Sequence, residues 1–185
     1  MFTAKELPYE LNAFAPYISE RTMDFHYNKH YQGYIDKLNE LTAGTRFATM
    51  PLELVIKESY HLENHAIYNN AAQVWNHEFF FHHLAKEAPK PDIDLIAKNF
   101  ESLEQFKQQF KAKALSQFGS GYCWLLQNGE QLRILTTSNA DNPLVLEQGE
   151  ALMCLDIWEH AYYLDYQNRR GDFVEIYLNK LIFHK

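Results

Sequence analysis

The sequence has 185 residues, 46% apolar and 22% charged, which is typical of one or two folded globular domains and excludes a disordered chain. Its formal net charge of −7 argues against a nucleic-acid-binding surface, and two cysteines exclude a disulfide scaffold. No apolar run is long enough for a membrane span and no secretory signal is visible, so we expect a cytoplasmic protein with no membrane partner. Nine histidines and 15% aromatic residues are the unusual features, and they point to a metal site.

The first half of the chain has the hydrophobic spacing of helices. A long helix is predicted over residues 19–42, with Ser19 as its N-cap. A short helix beginning at Pro51 and a second long helix over about residues 63–85 follow. Two long amphipathic helices joined by a connection predict a helical hairpin, and we assign residues 1–88 to an N-terminal α-hairpin domain.

The second half, residues 89–185, changes character and predicts a C-terminal domain of mixed structure. The prolines of the segment APKP, residues 88–91, mark the boundary because proline disrupts a helix. In order, we predict helix over 92–118, with Ser102 as the N-cap of its second part, strands over 122–127, 131–137 and 151–157, and one or two closing helices over 159–182. Asn128-Gly129 predicts the hairpin turn between the first two strands. The predicted fold class is α+β, an α-hairpin followed by an α/β domain with a small three-stranded antiparallel sheet.

Three polar pairs have the four-residue spacing that places both members on one helix face. They are His26/His30, His61/His65 and Asp156/His160. Each pair alone is more often a surface or packing feature than a ligand pair. Asp156 differs because it ends an apolar strand, where an unpaired buried charge would be costly, so we expect it to be shielded and held by a partner.

Histidines near the end of the second long helix have less certain roles. His77 lies between Trp75 and three phenylalanines, which favours a neutral, metal-binding imidazole, although a core histidine bonded to backbone is equally compatible. His82 and His83 are expected at a solvated helix end. The spacing HEFFFH does not match a zincin motif, and a single Glu-x-x-His disfavours a di-iron bundle.

Five segments in order carry a resemblance to a known family: DFHYNKHYQGYIDKLN, YNNAAQVWNH, FGSGYCW, TTSNADNPL and DIWEHAYYLDYQNRR. The sequence resembles the iron/manganese superoxide dismutases from about Leu7 to Leu181. The resemblance implies an antioxidant enzyme that converts two superoxide anions and two protons to dioxygen and hydrogen peroxide, by alternate reduction and oxidation of one metal ion.

The resemblance also implies a ligand set of three imidazoles and one carboxylate, with a solvent molecule as fifth ligand. The four ligands fall on His26, His77, Asp156 and His160. Nitrogen and oxygen ligands without thiolate suit iron or manganese. Gln73 together with Ala140 matches the iron-type pattern, in which a glutamine one turn before the helix histidine reaches the bound solvent; manganese remains the alternative.

The resemblance assigns further residues to the surroundings of the metal. Tyr34 and His30 match the substrate gateway, Trp124 and Trp158 an apolar wall, and Lys29 and Arg170 positions that steer the anion. Glu159 and Tyr163 match residues that reach a partner subunit, which implies a homodimer whose contacts include His30.

Several features depart from the family pattern and keep alternatives open. Tyr31 and Tyr122 replace a more usual histidine and tryptophan, and the chain is shorter than most members, which puts gateway detail and interface packing in doubt. A catalytically silent metal-binding protein on the same fold is one alternative. A helical di-iron or heme binder using His61 and His65 is another, which the strand-rich second half disfavours. Five histidines (His61, His65, His82, His83 and His184) receive no role.

Overall fold

The computed structural model describes residues 1–183, so His184 lies outside the described residues. The first long helix begins after Ser19, whose hydroxyl accepts a hydrogen bond from the backbone of Thr22 as predicted. It runs as α1 (Glu20–Asp24), a π-helical segment (Phe25–Tyr31) and α2 (Gln32–Thr42). The wider π segment was not predicted; such segments are frequently found at functional sites.

The second long helix packs against the first and completes the hairpin. Helix α3 (Leu52–His61) leads through a tight turn into α4 (His65–Leu84), which is capped by the side chain of Asn64. Since most of α4 is buried between α2, α3 and the sheet, its apolar residues cover more than one face. His61 therefore ends one helix and His65 begins the next, and the prediction that they share a helix face is wrong.

Two further helices connect the hairpin to the sheet. Helix α5 (Ile93–Phe100) is capped by Asp92, and α6 (Leu103–Ser116) is capped by Ser102 as predicted. Before them, the chain leaves α4 at Ala85. Contrary to prediction, His83 is not solvated there but only 6% exposed, because its ring stacks against Phe79 with centroids 5.9 Å apart.

The sheet has three antiparallel strands in the order β2-β1-β3. They are β1 (Gly121–Asn128), β2 (Gln131–Ser138) and β3 (Glu150–Asp156), with a one-turn helix α7 (Pro143–Leu146) before β3. Central strand β1 is buried along most of its length. The hairpin turn consists of Gly129 and Glu130, one residue later than predicted, since Asn128 still pairs with Gln131; Gly129 takes the positive φ of 60° that such a turn requires.

The closing region is more broken than the one or two helices predicted. It consists of a 3-10 turn (Glu159–Ala161), α8 (Tyr163–Tyr166), α9 (Arg170–Ile176) and a π-helical turn (Tyr177–Ile182). The predicted fold class is confirmed: a helical hairpin precedes an α/β part with a three-stranded antiparallel sheet. Within residues 1–183, no helix is long and apolar enough to cross a membrane.

Candidate metal centre

Four side chains of types that can bind a metal ion, from four different elements, meet in the interior. His26 comes from the π segment, His77 from α4, Asp156 from the end of β3 and His160 from the 3-10 turn that follows. One potential ligand atom of each lies within 4.8 Å of the others. Three of the side chains are buried and His160 is partly buried, so the group is shielded from bulk water.

The distances within this group centre on one carboxylate oxygen. Oδ2 of Asp156 lies 3.2 Å from Nε2 of His26, 3.3 Å from Nε2 of His160 and 3.8 Å from Nε2 of His77. The other oxygen, Oδ1, accepts a hydrogen bond from the backbone N–H of Trp158 at 2.8 Å. Ligands bound to one first-row metal through bonds of about 2.1 Å lie roughly 3 to 3.8 Å apart, which these distances match.

The tautomer of His77 tests whether the group fits a metal. Nδ1 of His77 lies 2.7 Å from the carbonyl oxygen of Gln73, and because a carbonyl only accepts, this nitrogen carries the hydrogen. Nε2 then has a lone pair, and it is buried with no hydrogen-bond partner among the described residues. A buried polar atom without a partner is costly, and a cation bound between the four side chains would satisfy it.

Burial and mutual contact set the protonation states of the group. Burial lowers the pKa of His26 to about 4, against an opposing hydrogen bond with Asp156, and burial lowers the pKa of His77 well below its ordinary value. Burial alone would raise the pKa of Asp156, but His160 and His26 together hold it below its usual range. Neutral imidazoles beside an ionised carboxylate are the forms that bind metal.

Behind His77, a hydrogen-bond network fixes the side chain of Gln73. Its Oε1 accepts a hydrogen bond of 2.8 Å from the Tyr122 hydroxyl, which burial keeps protonated by raising its pKa. Nδ2 of Asn76 donates to the carbonyl of Ala140 at 3.0 Å and lies 3.5 Å from the same Oε1. With its oxygen engaged, Gln73 keeps Nε2 as a donor that has no partner within residues 1–183.

Asn76 was not predicted to belong to the site. Its position, next to His77 and three residues after Gln73 on the same helix face, was the signal that could have identified it.

A cavity of about 370 Å³ opens beside this network. It is lined by Tyr34, Asn69, Asn70, Gln73, Ser138, Asn139, Ala140, Asp141 and Trp158. The ring of Tyr34 lies 5.4 Å from that of His77, and the indole of Trp158 stacks on His160 at 5.4 Å. Burial raises the pKa of Tyr34, so its hydroxyl is protonated at neutral pH. The cavity therefore offers amide and hydroxyl groups to a small ligand.

Other residues that the sequence singled out lie around this centre. His30 is exposed and stacks on His160 with ring centroids 4.4 Å apart, while Trp124 lies farther in, 5.6 Å from Tyr122. Three predicted residues are solvent-exposed: Lys29, Glu159 and Tyr163.

The guanidinium of Arg170 is engaged by hydrogen bonds. It donates to the carbonyls of Gln117 and Gly119 and to the Tyr162 hydroxyl. Arg170 therefore fixes the loop before β1. His61 and His65 are also exposed, at the ends of two different helices, and neither belongs to the group of four.

Comparison with known proteins gives consistent matches along the chain. The family model "Iron/manganese superoxide dismutases, alpha-hairpin domain" matches residues 1–85, and "Iron/manganese superoxide dismutases, C-terminal domain" matches residues 90–185. A relative from Legionella pneumophila named "Superoxide dismutase [Fe]" is 44% identical, over 95% of this chain and 92% of its own. One from Rickettsia conorii named "Superoxide dismutase [Mn/Fe]" is 41% identical, over 98% of this chain and 88% of its own.

Proposed function

The chain belongs to the iron/manganese superoxide dismutases, and on that premise we propose that it dismutates superoxide at one iron ion held by His26, His77, Asp156 and His160. The family catalyses this reaction with a metal ion, so the chain is an oxidoreductase whose substrate is superoxide. The observation that carries the ligand assignment is the buried Nε2 of His77, which has no hydrogen-bond partner within residues 1–183 and lies beside a carboxylate and two further imidazoles.

A metal ion held by these four side chains would supply the one-electron redox chemistry that dismutation of superoxide requires. The side chains around it have the complementary tasks of binding and proton supply. The amide Nε2 of Gln73 and the hydroxyl of Tyr34, both lining the cavity, are the donors that can hydrogen-bond an oxygen species there. Because burial keeps the Tyr34 hydroxyl protonated, it can deliver one of the two protons that the peroxide product requires.

His30, the exposed Lys29 and the partly buried Arg170 complete the proposed pathway. His30 is open to solvent and stacks on His160, so it can pass protons from solvent toward the cavity. We assign electrostatic steering of the anion to Lys29 and Arg170, since a local positive field attracts superoxide despite a net charge of −7. Trp124 and Trp158 are assigned to the apolar wall that limits water near the ligands.

Iron rather than manganese is supported by the position of the glutamine. Gln73 reaches the centre from α4, and Ala140, the position that supplies the glutamine in manganese-type members, offers only a methyl side chain. Reconstitution of metal-free protein with iron and with manganese separately tests this assignment. We expect higher turnover per bound ion with iron, and equal or higher turnover with manganese would contradict it.

The decisive experiment measures metal content and superoxide-dependent turnover on the same sample. We expect about one iron per chain with turnover. His77→Ala should abolish both, whereas His61→Ala, which removes an exposed histidine outside the group, should preserve both. Stoichiometric iron without turnover would favour a silent metal-binding protein, and retained iron in His77→Ala would move the site elsewhere.

A homodimer is the expected assembly, and exposed side chains next to His160 in the sequence support it. Tyr163, three residues after His160, is 46% exposed, and a partner subunit could cover it. Glu159 is exposed next to the ligand His160, and His30 is exposed beside it. Light scattering should give twice the mass of the chain, and Tyr163→Glu should shift it toward the monomer; a monomeric unmodified protein would refute this assembly.

A cytoplasmic location is part of the same proposal. Cys123 and Cys154 are both buried and free, which is the usual state of cysteines in a reducing compartment. Fractionation of cells that express the chain checks this location, and recovery outside the cytoplasm would contradict it.

A further inference from the structure

The N-terminal segment before the first helix crosses the two helices that carry His26 and His77. It has no regular secondary structure over residues 1–7 and contains no proposed ligand. Hydrogen bonds fix the segment to these helices before and after its central residue, Lys5. Phe2 exchanges two hydrogen bonds of 2.8 Å with the side chain of Asn39, and the Tyr9 hydroxyl donates to the carbonyl of Phe81 at 2.6 Å.

Lys5, in the middle of this segment, contacts neighbouring residues through its backbone N–H, its backbone carbonyl and its side-chain ammonium. Its backbone N–H donates to the Tyr31 hydroxyl at 3.1 Å, and its carbonyl accepts a hydrogen bond of 2.8 Å from the Tyr27 hydroxyl. Its ammonium lies 2.7 Å from Oε2 of Glu78. Tyr27 and Tyr31 belong to the π segment and Glu78 belongs to α4, so one residue joins both elements.

The partners of Lys5 are the immediate neighbours of the proposed ligands. Tyr27 follows His26 in the chain, and Glu78 follows His77. The ring of Tyr31 lies 6.0 Å from that of His77, nearly parallel to it, and its hydroxyl lies 3.1 Å from Oε1 of Glu78. Both carboxylate oxygens of Glu78 therefore have a donor.

The burial of Glu78 distinguishes this contact from an ordinary surface ion pair. The Glu78 side chain is only 9% exposed, whereas the Lys5 side chain is 61% exposed. Loss of the ammonium would leave a mostly buried carboxylate with a single hydroxyl donor, which is costly. An ion pair between two exposed side chains contributes little to stability by comparison. Lys98 and Glu130 form such a pair, with side chains 64% and 80% exposed, far from the group of four in the chain.

We propose that Lys5 is a positioning residue that, with Tyr27, Tyr31 and Glu78, holds the π segment and α4 at the spacing the metal needs. Retention of the metal then depends on a segment that supplies no ligand. This inference rests on the proposed function, because it takes His26 and His77 as ligands. The pairing of Tyr31 with Glu78 also gives a structural role to Tyr31, which departs from the family pattern.

Iron release to a chelator from the loaded protein tests the proposal. Lys5→Met keeps the backbone hydrogen bonds and the length of the side chain but removes the ammonium, and Tyr31→Phe removes the hydroxyl. Both should release iron about tenfold faster than the unmodified protein, since each removes a hydrogen bond to a buried charged group. Lys98→Met is the matched control and should release iron at the unmodified rate. Equal release rates for Lys5→Met and Lys98→Met would overturn the proposal.

Hydrogen exchange on the metal-free protein gives a second readout that does not depend on iron. Lys5→Met should accelerate exchange of amides in the π segment (Phe25–Tyr31) and in α4 around His77, and leave exchange in α6 (Leu103–Ser116) unchanged. Uniform acceleration throughout the chain would show a general loss of stability and would also overturn the proposal. If the unmodified protein bound no iron, the proposed function would fail, while this exchange pattern would still decide whether Lys5 holds the two elements together.

Discussion

Replacement of the buried His83 by phenylalanine should remove a defined part of the acid sensitivity of the fold. Burial, with a smaller contribution from Lys90, lowers the pKa of His83 from 6.5 to about 3. The unfolded chain therefore binds a proton at His83 below pH 6.5, whereas the folded chain stays neutral there until about pH 3. The stability that the neutral ring provides is complete above pH 6.5 and is lost progressively as the pH falls toward 3.

The expected size of this effect follows from the two pKa values. When the pH falls from 7.5 to 5, the unfolded chain binds a proton at His83 and the folded chain does not. This lowers the free energy of unfolding by about 2 kcal/mol, because each pH unit below the unfolded pKa contributes about 1.4 kcal/mol. His83→Phe keeps an aromatic ring against Phe79 and removes the titrating nitrogen atoms. The free energy of unfolding of the unmodified protein should therefore fall by about 2 kcal/mol more than that of the variant.

Urea unfolding of the metal-free proteins at the two pH values measures this difference. His61→Gln is the control, because His61 is exposed to solvent in the folded protein, and it should reproduce the pH response of the unmodified protein. If His83→Phe and the unmodified protein lost equal free energy between pH 7.5 and pH 5, the burial argument for His83 would be refuted.

Two further predictions concern the metal centre. Tyr122→Phe removes the donor to Oε1 of Gln73 and should cost about 1–3 kcal/mol of stability and change the optical spectrum of the bound iron. Tyr177→Phe removes an equally buried hydroxyl, which donates to the backbone carbonyl of Cys154, and it should lower stability similarly without changing the spectrum. A spectral change in both variants would argue against a role of Tyr122 at the metal. Removal of the metal by chelation should lower the melting temperature by roughly 8–16 °C, if the ion is present at about a thousandfold over its dissociation constant. An unchanged melting temperature in calorimetry would mean that the four side chains hold no ion in the folded protein.

Local sequence signals predicted helix starts and turns well, because a single capping or turn residue determines each of them. Ser19 and Ser102 each accept the hydrogen bond expected of an N-cap, and the hairpin between β1 and β2 lies within one residue of its predicted place. The family resemblance pointed to the four side chains that the structure brings within 4.8 Å of one another. These features depend on short-range geometry or on motifs contained in a single segment.

Features that depend on packing between distant segments were not predicted. His83 is buried although it lies in the last turn of α4, where the local sequence predicts a solvated helix end. The hydroxyl of Tyr122 bonds Gln73 across 49 positions of sequence, and Lys5 contacts Glu78 only because the N-terminal segment crosses α4. The π segment was missed because apolar spacing alone does not distinguish its wider turns from those of an α-helix.

The distribution of the four side chains along the chain has a consequence for synthesis on the ribosome. His26 and Asp156 meet in space although 130 positions separate them in sequence. A growing chain presents two imidazoles long before the carboxylate and the last imidazole emerge, so an incomplete chain offers only half of the donors. If these four side chains hold the ion, as proposed, the complete set is available only after His160 has been translated, and iron capture would be delayed until then. A chain that stops before Asp156 would hold only two of the four proposed donors, and it would lack redox chemistry at this site.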